Sequence, residues 1–167
     1  PGSLSHIVAI IEDELRLFDL LFMNMEGEFS WLPCASAEEF LEQGGLSKAA
    51  VVVSDVRLPG MDGMALLSRV RAEGAGSPFI VMTAFGGVEE AVAAVKAGAY
   101  DYLTKPVRME RLSAVIRNAL SFKRSTSETG GRLAEPAADF GDFLTRDART
   151  RHELTLALRV SAKDVPV

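Results

Sequence analysis

Four short apolar segments of this chain each end at polar side chains that could together form a reactive site. Those side chains are Glu12-Asp13 after residues 6–11, Asp55 after residues 49–54, Thr83 after residues 79–82, and Lys105 after residues 100–104. Short, nearly continuous apolar runs are typical of buried parallel strands. Ligands of open α/β sheets bind outside the carboxyl ends of such strands. We therefore expect these carboxylates, the hydroxyl and the ammonium to meet in one acidic pocket.

The three carboxylates of this pocket need a compensating cation. Glu12, Asp13 and Asp55 are expected to be ionised at neutral pH, because reference carboxyl pKa values lie near about 4. Crowding such charges is costly without a positive partner. The available metal ligands are oxygens, because these motifs contain no His or Cys. Oxygen ligands favour a hard cation such as Mg²⁺. Lys105 supplies a further positive charge.

Carboxylate, divalent metal, lysine and hydroxyl together are typical of a phosphoryl-transfer site. Asp55 can attack phosphorus as a carboxylate nucleophile and form an acyl phosphate. The metal and Lys105 would neutralise charge that builds on the equatorial oxygens. Thr83 offers a hydroxyl that can donate to an anionic oxygen. We therefore predict Asp55 as the phosphoacceptor.

These side chains are carried by five strand-then-helix units. The pattern predicts strands at residues 6–11, 29–34, 49–54, 79–83 and 100–104, with helices at 13–26, 36–44, 63–73, 87–97 and 107–122. Strands that alternate with helices predict an α/β fold, in which a parallel sheet is wound right-handed and carries helices on both faces.

The composition narrows the class of protein. The chain has 167 residues, of which 48% are hydrophobic and 25% charged, with a net charge of −5. No apolar run approaches the roughly 18 residues of a membrane span, so we expect no membrane partner. The single cysteine, Cys34, excludes an internal disulfide and favours a cytoplasmic location. No basic stripe is present, so we expect no direct nucleic-acid contact by this chain.

The pattern changes after residue 123. Residues 4–123 contain all the strand-helix units and are expected to form one domain. Residues 124–138 begin with a polar stretch rich in Gly, Ser and Thr, and are expected to be a flexible linker. Residues 139–167 contain a second apolar stripe but are too few to bury a core of their own.

Residues 5–123 resemble the receiver domain of two-component response regulators. The motifs that carry the resemblance are Ile11-Glu12-Asp13-Glu14, Ser54-Asp55-Val56-Arg57-Leu58-Pro59-Gly60-Met61-Asp62-Gly63, Met82-Thr83-Ala84 and Asp101-Tyr102-Leu103-Thr104-Lys105-Pro106. The resemblance implies a doubly wound, flavodoxin-like sheet in the order 2-1-3-4-5. It also implies that Asp55 accepts its phosphoryl group from a partner histidine kinase.

The resemblance assigns further roles. Asp13 and Asp55 would ligate Mg²⁺ directly with the backbone carbonyl of Arg57, and Glu12 would act through bound water. Most members of the family have Asp-Asp at the acidic pair, whereas this chain has Glu12-Asp13. Tyr102 would turn inward as Thr83 moves toward the phosphoryl group, which would remodel the surface of helix 87–97, the fifth strand and helix 107–122. The peptide bond before Pro106 is expected to be cis, and Arg57 and Phe85 border the route of water to the acyl phosphate.

The chain is also similar to NtrC-type sigma-54-dependent regulators. Residues 139–167 resemble the start of an AAA+ module, the sigma-54 interaction module, cut before its ATPase core. No G-x-x-x-x-G-K-[ST] motif occurs, so this chain is not expected to hydrolyse ATP or to act as an enzyme. The resemblance implies a homodimer on activation, and a full-length protein that binds DNA and sigma-54 RNA polymerase.

Two other functions are compatible with parts of the pattern. A receiver-like interaction module that works without phosphorylation is suggested by Glu12 in the acidic pair. A haloacid-dehalogenase-like phosphatase also uses an Asp at a strand end with Mg²⁺, but such enzymes have Asp-x-Asp-x-Thr, whereas this chain reads Asp55-Val56-Arg57-Leu58-Pro59.

Overall fold

The computed structural model describes residues 6–25 and 27–128. The strands are β1 (Ile7–Ile11), β2 (Ser30–Cys34), β3 (Val51–Asp55), β4 (Phe79–Thr83) and β5 (Asp101–Thr104). The helices are α1 (Leu15–Asn24), α2 (Ala37–Glu42), α3 (Gly45–Lys48), α4 (Gly63–Ala72), α5 (Val88–Lys96) and α6 (Met109–Glu128).

The five strands form one parallel sheet in the order β2-β1-β3-β4-β5. The predicted fold class and strand order are therefore confirmed. The register pairs Asp55 with Met82 and Thr83 with Thr104, so the strands end close to one level. This level edge is what brings polar residues from different strands together.

The core lies in two layers, one on each face of the sheet. Alternate residues of a strand point to opposite faces, and β1 accordingly sends Val8 and Ile10 to one layer and Ala9 and Ile11 to the other. The first layer is covered by α1 and α6, through Phe18, Leu21, Leu112 and Ile116. The second is covered by α2, α4 and α5, through Phe40, Leu66, Leu67, Ala91 and Ala94. Helices thus cover both faces, as the sequence predicts.

Two helical segments differ from the prediction. The predicted helix 36–44 ends at Glu42, and a separate short helix, α3, follows the left-handed Gly44 (φ 72°). The last helix continues to Glu128 rather than ending at residue 122, so residues 124–128 of the expected linker are helical. No Gly or Pro interrupts this stretch before Gly130, and Lys123 donates to Ser77 Oγ, in the segment before β4, at 3.1 Å. The expected AAA+ segment, residues 139–167, lies outside the described residues.

The Lys105–Pro106 peptide bond is cis, as the resemblance implies. Across the described ranges, none of the helices combines the length and apolar character needed to cross a membrane.

Candidate functional site

The ends of three non-adjacent chain segments meet at Lys105. Its ammonium donates to Glu12 Oε2 at 2.5 Å and also to Asp55 Oδ2. These partners lie 93 and 50 residues away in the sequence, at the ends of β1 and β3. The backbone N–H of Lys105 donates to Thr83 O at 2.7 Å, which joins the end of β4 to the same point. The structure therefore brings the predicted residues to one edge of the sheet.

The acidic residues form a compact oxygen cluster. Glu12, Asp13 and Asp55 each place one carboxylate oxygen within 4.8 Å of the others. Glu12 and Asp55 are buried, whereas Asp13 is exposed. Burial raises the pKa of Glu12, although the bond from Lys105 opposes this shift. An all-oxygen cluster in which a buried carboxylate needs a positive partner fits a hard divalent cation such as Mg²⁺.

Lys105 is held in its charged form by its two partners. Burial alone would lower its pKa, but the bonds to Asp55 and Glu12 outweigh burial and raise the pKa above its ordinary value. A raised lysine pKa means that the ammonium persists throughout the neutral range. The site therefore contains a fixed positive charge beside the proposed nucleophile.

The carboxylate of Asp55 is oriented from two sides. Its Oδ1 accepts the backbone N–H of Arg57 at 2.9 Å, while Oδ2 faces Lys105. The backbone is fixed as well, because Ser54 Oγ donates to the carbonyl of Asp55 at 2.9 Å. A Cβ at Gly63 would lie 2.0 Å from that carbonyl oxygen, so α4 can begin here only with a glycine.

Ser54 and Gly63 both belong to the sequence motif around Asp55, so the sequence contained a signal for these two positions. Their packing roles were not predicted, because a motif does not indicate which backbone atoms approach one another.

Thr83 and Tyr102 are connected through Phe85. The Thr83 hydroxyl accepts the N–H of Phe85 at 3.1 Å and lies 3.3 Å from its carbonyl oxygen. The Tyr102 hydroxyl donates toward the same carbonyl at 2.8 Å, with Glu90 Oε2 as a neighbouring acceptor at 3.1 Å. Burial, together with Glu90, raises the pKa of Tyr102 to about 12. The phenol is therefore neutral and can donate.

The Tyr102 side chain is turned inward in this structure. Only 3% of Tyr102 is exposed, and its ring packs in the core layer on the side of α2, α4 and α5. The expectation from sequence was that Tyr102 turns inward when Thr83 moves. Here the inward position coexists with a Thr83 hydroxyl that is bonded to Phe85. Glu90 was missed by sequence reasoning, because an acidic residue in the first turn of a helix is ordinarily explained by the helix dipole.

A cation–π pair stands at the margin of the site. The guanidinium of Arg57 lies 4.4 Å from the ring centroid of Phe85, within the range of a favourable contact. Phe85 is 54% exposed. The two residues that border the site therefore contact each other.

Comparison with known proteins gives one family. Residues 8–117 match the model of the response regulator receiver domain. The chain is 40% identical over 134 residues to the transcriptional regulatory protein FixJ of Bradyrhizobium diazoefficiens, which covers 80% of this chain and 60% of FixJ. It is 35% identical over 162 residues to the response regulator protein FleR of Pseudomonas aeruginosa, covering 96% of this chain and 32% of FleR.

A solved structure gives the same fold. The response regulator receiver domain protein from Clostridium thermocellum superposes with a TM-score of 0.65 at 27% identity, over 72% of this chain and 98% of that one. The chain thus spans nearly the whole of a receiver domain, but only 60% of FixJ and 32% of FleR.

Proposed function

Since the chain belongs to the response regulator receiver domain family of two-component systems, we propose that Asp55 is its phosphoacceptor and that a histidine kinase is the donor. The observation that carries this proposal is the contact of Lys105 with both Glu12 and Asp55, two buried carboxylates from different strands. A buried carboxylate beside a fixed ammonium can react as a nucleophile while the developing charge on phosphorus is stabilised.

The transfer step follows from the bonds around Asp55. A carboxylate oxygen forms a bond to phosphorus, the bond between phosphorus and the donor's imidazole nitrogen breaks, and the electron pair stays on that nitrogen. Lys105 neutralises charge on the phosphoryl oxygens as they approach. The backbone N–H of Arg57 holds the carboxylate in place, since it donates to Oδ1 at 2.9 Å.

Mg²⁺ belongs to the same proposal. Asp13, Asp55 and the backbone carbonyl of Arg57 would hold it, with Glu12 in the outer shell, and the ion would supply additional neutralisation of phosphoryl charge. The carboxylate oxygens of Glu12, Asp13 and Asp55 lie within 4.8 Å of one another, which supports the carboxylate members of this set. Glu12 keeps the charge of the more usual Asp but has a longer side chain, and its Oε2 accepts a hydrogen bond from Lys105.

The phosphoryl group would act on Thr83 and Tyr102 as a switch. It brings roughly two negative charges and three acceptor oxygens, so the Thr83 hydroxyl gains an alternative to its contact with Phe85. Movement of Phe85 is transmitted to Tyr102, whose hydroxyl bonds the same carbonyl. The surface of α5, β5 and α6 would change as a result. We propose that this change controls homodimerisation.

The rest of the protein would provide the output. FixJ and FleR are named as regulators, and both are longer than the part that this chain matches. We propose that the full-length protein is an NtrC-type, cytoplasmic transcriptional regulator that binds DNA and sigma-54 RNA polymerase through segments beyond the receiver domain.

Phosphorylation of the 167-residue chain tests the proposal. The chain is incubated with acetyl phosphate and Mg²⁺, and its intact mass is measured. We expect a gain of one phosphoryl group that is absent in Asp55→Asn and retained in Asp19→Asn, a matched change at an exposed carboxylate on α1.

Two results would contradict it. No gain of mass in the wild-type chain would favour an interaction module that works without phosphorylation. Turnover of p-nitrophenyl phosphate would favour a phosphatase of the haloacid-dehalogenase type.

A further inference from the structure

A carboxylate of α5 contacts the tyrosine of the proposed switch. Glu90 Oε2 lies 3.1 Å from the Tyr102 hydroxyl, although Glu90 lies on the exposed side of α5 and Tyr102 is buried. We propose that Glu90 is a positioning residue that stabilises the inward position of Tyr102 before phosphorylation. This inference rests on the proposed phosphorylation switch. It adds that Glu90 sets the fraction of molecules in which Tyr102 is already inward before phosphorylation.

The hydroxyl of Tyr102 can donate its proton either to the carbonyl of Phe85 or to Glu90. A phenol has one proton, so it donates to the carbonyl of Phe85 at 2.8 Å or to Glu90 at 3.1 Å. The Phe85 carbonyl is also within reach of the Thr83 hydroxyl, at 3.3 Å. Glu90 is therefore an acceptor for Tyr102 that does not depend on the position of Thr83. Hydrogen bonds to an ionised acceptor are stronger than neutral ones.

The opposite end of α5 is fixed by a different contact. Arg71, from α4, donates to the carbonyl of Gly98 through Nε at 3.1 Å and Nη2 at 3.0 Å. Its Nη1 donates to Ala75 O at 2.8 Å and Ser77 O at 3.0 Å, which ties the same guanidinium to the segment before β4. The turn after α5 is thus anchored to α4. Movement of α5 is therefore expected at its first turn, where Glu90 meets Tyr102.

The bias has a measurable thermodynamic consequence. If both Glu90 and a phosphoryl group favour the inward position of Tyr102, loss of Glu90 must weaken binding of the phosphoryl group by the same factor by which it reduces the inward population. The contact is partly exposed, so its contribution is reduced by water. We therefore expect about a threefold to fivefold effect on affinity.

Beryllofluoride, which imitates a phosphoryl group on a carboxylate, is the probe. Its affinity is measured with Mg²⁺ for the wild-type chain and for Glu90→Ala, Glu90→Gln and Glu89→Ala. We expect binding to weaken about threefold to fivefold in Glu90→Ala and to weaken less in Glu90→Gln, because the amide oxygen can still accept. Glu89→Ala, which removes the same charge from the same turn of α5, is expected to bind as the wild type does.

A spectroscopic signal separates positioning from a general loss of structure. The chain has two tyrosines, Tyr100 and Tyr102, so labelled tyrosine rings give two sets of NMR signals that Tyr102→Phe assigns. In the absence of beryllofluoride, we expect the Tyr102 signal to shift in Glu90→Ala and to return toward its wild-type position in Glu90→Gln.

The possible outcomes are distinct. Equal beryllofluoride affinity in Glu90→Ala and Glu89→Ala, with an unchanged Tyr102 signal, would overturn this inference and leave the proposed function intact. A wild-type chain that fails to bind beryllofluoride would instead overturn the proposed function, and this inference with it.

Discussion

Replacing Lys105 by methionine should lower the free energy of unfolding, because the acidic cluster loses a positive partner. Methionine keeps an unbranched chain but removes the ammonium that contacts Glu12 and Asp55. Removing one partner of a buried ion pair costs roughly 3–5 kcal/mol. The side chain of Lys105 is 21% exposed, whereas that of Glu12 is 0% exposed. Water therefore reaches one side of the pair and makes the cost smaller. We expect the free energy of unfolding in metal-free buffer to fall by about 2 kcal/mol.

The loss should depend on pH in a defined direction. Burial raises the pKa of Glu12, and Lys105 is what opposes that shift. In Lys105→Met the opposition is gone, so the Glu12 pKa in the folded state lies further above its unfolded value of 4.5. Stability from a carboxyl with a raised pKa is fully present below the unfolded pKa and is lost as the pH rises through the folded one. The destabilisation is therefore largest at neutral pH and shrinks toward acid.

Mg²⁺ should reverse the loss. The metal and the ammonium are attracted by the same carboxylates, so the variant is expected to bind Mg²⁺ more tightly than the wild type. A ligand present at about 100 times its Kd stabilises a folded protein by about 2.7 kcal/mol, which is enough to restore the variant.

Urea unfolding with EDTA or with Mg²⁺, followed through the single tryptophan, Trp31, measures both effects of this substitution. Lys96→Met is the matched control, because Lys96 is exposed on α5 and the same exchange there should have little effect. Equal stability of Lys105→Met and wild type in EDTA, or weaker Mg²⁺ binding by the variant, would refute the reasoning.

Three further outcomes are expected. Gly63→Ala should lower the free energy of unfolding by about 1–3 kcal/mol, because the new Cβ would lie 2.0 Å from the carbonyl oxygen of Asp55. Gly76→Ala should change the free energy of unfolding little, because no atom lies within 4 Å of the new Cβ. Equal urea midpoints for the two variants would contradict this. Phe85→Ala should shorten the lifetime of the acyl phosphate, because the variant loses the ring that borders the site and with it the contact that holds the Arg57 guanidinium there. The lifetime is followed by intact mass after removal of the phosphoryl donor, and an unchanged lifetime would exclude this role of Phe85. Arg117→Met should destabilise the chain at neutral pH but not in acid, because the bond from Arg117 lowers the pKa of Glu28 below 4.5. Stability from a lowered carboxyl pKa is lost as the pH falls through the folded value. Parallel profiles of stability against pH for the variant and the wild type would argue against this.

Much of the fold was predictable from the sequence because it depends on local pattern. Buried strands read as apolar runs and helices as periodic ones, so all five strands and the helices on both faces were predicted from residues within each segment. The polar residues at the strand ends were predicted for the same reason. The strand order came from the resemblance to receiver domains, since local pattern does not determine which strands are neighbours.

The ends of helices were predicted less well. The sequence predicts that α6 ends at residue 122, whereas the helix continues to Glu128. At the start of this extension Lys123 donates to Ser77, which lies 46 residues away in the sequence. The helix propensity of a polar stretch does not contain that information.

The sequence alone determined which chemical groups the site contains, because strand ends and residue types are local properties. The tertiary structure alone decided how those groups are paired. Lys105 meets carboxylates 93 and 50 residues away, and Glu90 reaches Tyr102 only because α5 packs beside β5 with its first turn over the phenol. Such pairings depend on how helices dock on the sheet, and docking is set by the whole core rather than by any one segment.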